Sequence, residues 1–316
     1  MPDENPLCVA VCTHNPNPAF LAETLEALAR QTLPLEAWDF LLVDNASTTA
    51  TARKADLSWH PRGHCIAEPQ PGLTAARVRV IQEAAAFGAG TILFVDDDNI
   101  LAPDYLEQGL ALAAKDPKLG CWGGQLIPRF EKTPPDWFAP FAKYLALFQL
   151  ENDVVSEAFS GNHDSLPAGA GMFLRVALAS AYVESLNTHP LRRLLGVNGK
   201  DPMRGEDTDI GLFALAAGWR VGRFRDLRLT HITPAGRITR DYVARVLEGT
   251  ACSDVLLQKI YGRPLPKVGG WLSRLREHWQ AWRLPEPYGP FHAAQCRGRR
   301  RGLEIVKISK FKNRAD

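Results

Sequence analysis

Thr91-Ile92-Leu93-Phe94-Val95-Asp96-Asp97-Asp98-Asn99 joins an apolar run to an acidic one. Its first five residues read as a short buried strand, and three acids follow where that strand emerges at its carboxyl end. In open α/β sheets, ligands bind in the crevice beyond such strand ends. Two unit charges ~4 Å apart repel by ~1 kcal/mol in water and ~4 kcal/mol at an effective dielectric of 20, so a partly buried triplet calls for a compensating cation. Hard carboxylate oxygens with no nearby Cys or paired His favour Mg2+ or Mn2+, ions that leave coordination positions for substrate phosphates. The plainer alternative is an acidic, solvated turn.

Residues 7–12 form a compact apolar strand, broken by Thr13-His14-Asn15-Pro16-Asn17-Pro18 before a helix that starts near Ala19. Leu21, Leu25 and Leu28 give that helix one apolar stripe for a sheet. Residues 40–43 are a second strand, ending at Asp44-Asn45-Ala46-Ser47, and residues 68–77 lead into a helix that runs to about Phe87. Alternating strands and helices predict an α/β fold with a largely parallel central sheet flanked by helices. Three strand ends then carry polar residues toward one crevice. Each also has a local explanation: Thr13 and Asn15 as helix caps, and Asp44 with Ser47 closing a turn. Taken together they suit a nucleotide, with Asp44 accepting from a base or ribose and a metal neutralising a diphosphate.

The formal charge of +2 over 316 residues conceals a concentration of basic residues near the C-terminus. No apolar run approaches the ~20 residues of a membrane-spanning helix, and no basic segment followed by an apolar core opens the chain, so a cytoplasmic protein is expected. The six cysteines, Cys8, Cys12, Cys65, Cys121, Cys252 and Cys296, include no CxxC pair and read as reduced packing residues.

The succession VAVCTHNP, LLVDNAS, EPQPGLTAARVRVI, ILFVDDDN, PAGAGMFLR and GEDTDIGLFALAAGWRV resembles the family-2 glycosyltransferases, enzymes of the GT-A nucleotide-diphospho-sugar transferase fold. The ordered set, over roughly residues 5–235, is far more specific than any one piece. The resemblance implies inverting transfer from a nucleotide sugar, commonly a UDP-sugar, to an acceptor hydroxyl. By carry-over, Thr13 and Asn15 lie beside the nucleotide, Asp44 contacts its uracil or ribose, and Arg77 helps hold the donor. His14 lines the base pocket or is merely polar. Asp96 and Asp98 correspond to the outer acids of a DxD motif, with Asp97 between them on the donor side and Asp98 as the direct metal ligand. His231, after the strand-like residues 227–230, matches a position where a His completes metal coordination; a lone His can equally be a core or surface residue.

In Gly205-Glu206-Asp207-Thr208-Asp209 the acids precede helical apolar spacing at Ile210, Phe213, Ala214 and Ala217, so Glu206 and Asp207 stand near a helix start, where the dipole alone favours them. The resemblance makes Asp207 the general base; Glu206 is read as orienting the acceptor, and Glu206 and Asp209 are next in line as base. A carboxylate of reference pKa ~3.9 is a weak base toward a sugar hydroxyl, so proton transfer must be late and coupled to bond making. The QxxRW motif and long membrane helices of processive family members are missing, which implies single-sugar transfer; Arg237 or Arg240 then approaches the diphosphate or is surface charge.

The expected organisation is a donor half in residues 1–130, an acceptor and base half in 131–240, and a helical, basic extension in 241–316. In that extension Trp271, Leu272, Leu275, Trp279 and Trp282 are interleaved with Arg274, Arg276 and Arg283. Two readings stand: an interfacial helix on an anionic membrane, aided by Arg297, Arg299, Arg300, Arg301, Lys307, Lys310, Lys312 and Arg314, or a helix packing its tryptophans on the catalytic domain. The expected partners are a nucleotide-sugar donor and a carbohydrate or lipid-linked acceptor of envelope polysaccharide or glycolipid synthesis, with the protein in the cytoplasm or peripheral on the inner face of the membrane. No nucleic acid is expected, for want of a binding module. Two rival functions are a sugar-1-phosphate nucleotidyltransferase, which should open with a glycine-rich basic loop, and a non-catalytic nucleotide- or carbohydrate-binding protein, which should lose the acids.

Overall fold

A computed structural model describes residues 7–159, 161, 163–199, 203–267 and 270–312. In chain order the elements are β1 (Leu7–Thr13), α1 (Pro18–Ala29), β2 (Trp38–Asn45), β3 (Gly63–Glu68), α2 (Leu73–Ala86), β4 (Thr91–Asp96), β5 (Asn99–Leu101), α3 (Tyr105–Lys115), β6 (Leu119–Phe130), β7 (Val154–Ser156), β8 (Met172–Arg175), α4 (Val176–Thr188), α5 (Glu206–Ala216), β9 (Arg220–Thr233), α6 (Arg240–Ile260), α7 (Trp271–Arg283) and α8 (Tyr288–Lys312). Short 3-10 turns join several of them.

One sheet runs in the order β3-β2-β1-β4-β8-β6-β9-β5, with β7 also paired to β9. β3, β2, β1 and β4 are parallel, whereas β8 joins β4 antiparallel and β5 joins β9 antiparallel. The α/β fold is as the sequence predicts, with the parallel strands carrying its first half. β1, β2 and β4 are buried almost throughout, which is why they read as unbroken apolar runs instead of alternating ones. β3 eluded that reading because its residues are mostly half-exposed and carry no period.

The chain divides into two compact units. The first holds residues 1–129, 146–185 and 210–233, and so the whole sheet apart from the last residue of β6; the second holds 130–145, 186–209 and 234–316. The first unit's core gathers Leu7, Val9, Val11, Trp38, Phe40, Leu42, Leu93 and Val95 from the parallel strands with Leu21, Leu25 and Leu28 of α1, the predicted stripe. In the second unit α6 packs along α8, and the two backbones approach so closely that a Cβ on Gly298 would overlap the carbonyl of Glu248. Among the described residues no helix is long and apolar enough to cross a membrane. No disulfide joins the cysteines, and five are at least partly buried; Cys65, exposed on β3, departs from the packing reading.

Candidate functional site

The three parallel strand ends are tied to one another by side chains. Asn15 is not a helix cap: Asn17 accepts from the Ala19 amide at 2.9 Å and caps α1. Asn15 instead takes the left-handed backbone region, φ +50°, which Asn tolerates, and its Oδ1 accepts from the Thr48 amide, the Thr48 hydroxyl and the Thr49 amide. Its own amide donates to Ser47 Oγ at 2.8 Å, so Ser47 serves the loop after β1 and not Asp44. His14 Nδ1 meets the Asn45 carbonyl oxygen at 2.7 Å. Asn45, unremarked in the sequence, donates to the carbonyls of Glu68 and Gln70 and accepts from the Gly72 amide, binding the ends of β2 and β3 to the start of α2. Between them Ala46 also has φ +50°, a conformation costing a residue with a Cβ roughly 1 kcal/mol.

Asp44 is buried at the end of β2. Arg53 donates to its Oδ2, while Oδ1 is buried with no hydrogen-bond partner among the described residues. A buried acceptor left unmade costs ~1–3 kcal/mol, so a donor from a bound molecule would find a place there. Arg77, on α2, is buried with its guanidinium 5.3 Å from the centre of the Phe94 ring of β4.

At the end of β4 the acids are held individually. The Thr13 hydroxyl donates to Asp97 Oδ2. Asn99 closes the turn from both sides, its Oδ1 accepting from the Asp96 amide at 3.0 Å and its Nδ2 donating to Asp98 Oδ1 at 3.1 Å. The β5–β9 pairing sets Asn99 opposite His231, and the Ile232 amide donates to the Asp98 carbonyl at 2.9 Å. As a result His231 Nε2 lies 3.4 Å from Asp98 Oδ1, both side chains buried. Part of the compensation the sequence assigned to a cation thus comes from hydrogen bonds. A carboxylate oxygen and an imidazole nitrogen side by side are donors that suit Mn2+ or Mg2+. Among the described residues no three His, Cys, Asp or Glu side chains make a closed cage, so the pair fits an ion that draws its other ligands from phosphate and water.

The second acidic cluster opens α5. Gly205 precedes it in a tight place: a Cβ there would stand 2.8 Å from Ser253 Cβ of α6, and the Gly205 amide donates to the Leu195 carbonyl. Glu206 is buried and Asp207 half-buried in the first helical turn. Asp209 is not available as a base. It is fully buried and receives Arg192 Nη1 at 2.6 Å and the Tyr261 hydroxyl at 2.7 Å; burial, and after it the charge of Asp209, holds the Tyr261 hydroxyl in its protonated form. Arg240 pairs with Glu286 on the surface at 3.4 Å, the plainer of its two readings.

The structure therefore brings Thr13 to Asp97, Asp98 to His231, and Asn15 to the loop after Asp44. Glu206 and Asp207 belong to the second unit and form a cluster of their own. Asn45, Arg53, Asn99, Arg192 and Tyr261 were not singled out from the sequence; only Asn45 and Asn99, adjoining marked aspartates, carried any signal.

Residues 8–163 match the family described as "Glycosyl transferase family 2", and residues 91–281, more than half the chain, match "Glycosyl transferase family group 2". Among solved structures, residues 1–349 of S. aureus TarS in complex with UDP-GlcNAc align with a TM-score of 0.52 and 14% identity, covering 97% of this chain and 92% of that one. Mannosyltransferase PcManGT from Pyrobaculum calidifontis, in complex with GDP-Man and Mn2+, aligns with a TM-score of 0.54 and 16% identity, covering 94% and 87%. At such identities the likeness is one of fold. No curated protein matches the sequence.

Proposed function

We propose, from the premise that this chain belongs to the family-2 glycosyl transferases, that it moves one sugar from a nucleotide-diphospho sugar to an acceptor hydroxyl with inversion, using Mn2+ or Mg2+. The observation that carries this reading is the meeting of Asp98 and His231, two buried donors from the turn after β4 and from β9, far apart in sequence. Asp98 and His231 would hold the metal, with Asp96 beside them; when bound, the metal neutralises charge building on the departing nucleoside diphosphate.

The other roles follow from what each side chain offers. Asp44 Oδ1 accepts from the base or ribose, Thr13 and Asn15 line the nucleoside, and Arg77 with Asp96 and Asp97 fixes the donor. Asp207 takes the proton as the acceptor oxygen bonds to the anomeric carbon and the bond to the diphosphate breaks, so no covalent enzyme intermediate is needed. Glu206 orients the acceptor. In this reading residues 1–130 serve the donor, 131–240 the acceptor and base, and 241–316 form an extension. The proposed donor is a UDP-sugar, although the solved relatives carry UDP-GlcNAc and GDP-Man alike. The proposed acceptor is a carbohydrate or lipid-linked sugar of envelope polysaccharide or glycolipid synthesis, on the cytoplasmic side.

Thermal shift against a panel of UDP- and GDP-sugars, with and without Mn2+, tests the reading. One donor should raise Tm in a manganese-dependent manner and be slowly hydrolysed. Absence of any manganese-dependent shift across the panel would contradict it.

A further inference from the structure

Helix α7 is mounted the wrong way round for a core helix. Trp271, Leu275, Trp279 and Trp282 fall at i, i+4, i+8 and i+11, within one face of an α-helix. That face looks outward: the four side chains are 70%, 57%, 53% and 80% exposed. The polar positions Ser273, Glu277 and Gln280 are the half-buried ones, and Glu277 pairs with Arg300 of α8. A helix ordinarily turns its apolar stripe to the core, and a contiguous exposed apolar face marks an interaction surface. The reading in which these tryptophans pack on the catalytic domain is therefore set aside; the side chain of Leu272 lies outside the described residues.

The charge around the stripe selects the occupant. On the helical wheel Arg276 and Arg283 flank it on one side and Arg274 on the other, all three exposed. Arg274 and Arg276 reach no carboxylate among the described residues, and Arg283 lies 4.5 Å from the centre of the Trp279 ring. Residues 271–316 contain eleven Lys and Arg against four Asp and Glu, so the remainder of a chain of net charge +2 is acidic. Of the basic residues on α8, Arg297 is engaged by Glu248 and Arg300 by Glu277, while the side chains of Lys310 and Lys312, and Arg314 altogether, lie outside the described residues. Arg299 and Lys307 of α8 are also exposed, but the three arginines of α7 are the ones that edge the tryptophan stripe. An apolar stripe of Trp and Leu edged by Arg is the pattern of a helix lying in the headgroup region of an anionic bilayer. Two copies of this face packed together would instead bring arginine rows into apposition.

We propose that α7 is a membrane-surface helix that seats the protein on anionic lipid through Trp271, Leu275, Trp279 and Trp282, with Arg274, Arg276 and Arg283 at the phosphates. The proposal concerns residues of the second unit to which no donor role is assigned, and it does not depend on the transfer reaction. Its test is sedimentation of the full chain with vesicles of phosphatidylcholine alone or mixed with phosphatidylglycerol, without donor or acceptor. The chain should pellet with the anionic vesicles at low salt and be released at high salt. Leu275→Glu with Trp282→Glu, both at exposed positions, should weaken that partition on the order of tenfold or more at unchanged Tm. Arg274→Glu with Arg276→Glu should weaken anionic binding and remove most of its salt dependence. A chain that stays in the supernatant with anionic vesicles at low salt overturns the proposal. So does a Leu275/Trp282 variant that pellets as well as the parent, which would place binding on α8, or a lipid-free dimer that dissociates on Trp282→Glu.

Discussion

Asp44 and Asp209 are both buried aspartates with an arginine at one oxygen, yet they differ in how completely they are satisfied. Asp209 receives Arg192 and the Tyr261 hydroxyl, three groups locked together inside the second unit. Asp44, in the first unit, is met by a half-exposed Arg53 on one oxygen and by nothing described on the other. A satisfied buried charge holds a fold together, and removing one member is costly; an unsatisfied one at a strand end leaves an acceptor open, which is why Asp44 is proposed to meet the donor. The difference separates two residues that share a chemistry.

The largest expected effect distinguishes Asp207 from its neighbour. Asp207→Asn should retain donor binding and lose ~10²–10⁴-fold in transfer rate, ~3–5 kcal/mol of barrier, in a steady-state assay. Transfer at the parental rate would move the base to Glu206, since Asp209 is committed to Arg192. Asp209→Ala should instead destabilise the protein by ~3–5 kcal/mol, because Arg192 would be left buried without its counter-charge. Urea denaturation reads this directly, and an unchanged midpoint would show that Asp209 does not hold the fold together.

His60 sharpens the comparison from a third side. Its Nδ1 accepts from the Arg62 amide, its Nε2 has no partner among the described residues, and Trp38, Trp59 and Phe40 surround it. Burial, with Arg62 nearby, lowers its pKa from 6.5 to about 4. The folded pKa lies below the unfolded one, so this stability is full above about pH 6.5 and is lost as pH falls toward 4, by roughly 2–3 kcal/mol. His60→Phe should flatten Tm across that window; an unaltered acid limb would show that the titration lies elsewhere. An unpartnered atom among aromatics thus costs acid stability, whereas the one on Asp44 is proposed to accept from the donor. Asp44→Asn should accordingly leave Tm nearly unchanged and weaken donor binding by ~10–100-fold, about 1–3 kcal/mol, in calorimetry.

The parallel strands β1, β2 and β4 were legible because a parallel strand buried on both faces is an unbroken apolar run, and the polar residues after 12, 43 and 95 mark where burial stops. The meeting of Asp98 and His231 was legible only through resemblance. The contact arises from the β5–β9 pairing across more than a hundred residues, and β9 extends over Arg220–Thr233 where sequence suggested four residues. Asp209 could not be told from Asp207, because Arg192 and Tyr261 come from 17 positions before and 52 after. Helical spacing placed the α7 tryptophans on one face correctly. Period alone does not say which face turns inward, and here Glu277 and Arg300 turn the polar one.

The most direct test of a metal-dependent donor site is calorimetric titration of the donor into the parent and into Asp98→Ala, each with and without Mn2+. The account predicts that manganese tightens donor binding to the parent and that Asp98→Ala, folded as judged by its Tm, loses that enhancement. Binding to Asp98→Ala that remained as tight and as manganese-dependent as in the parent would contradict it.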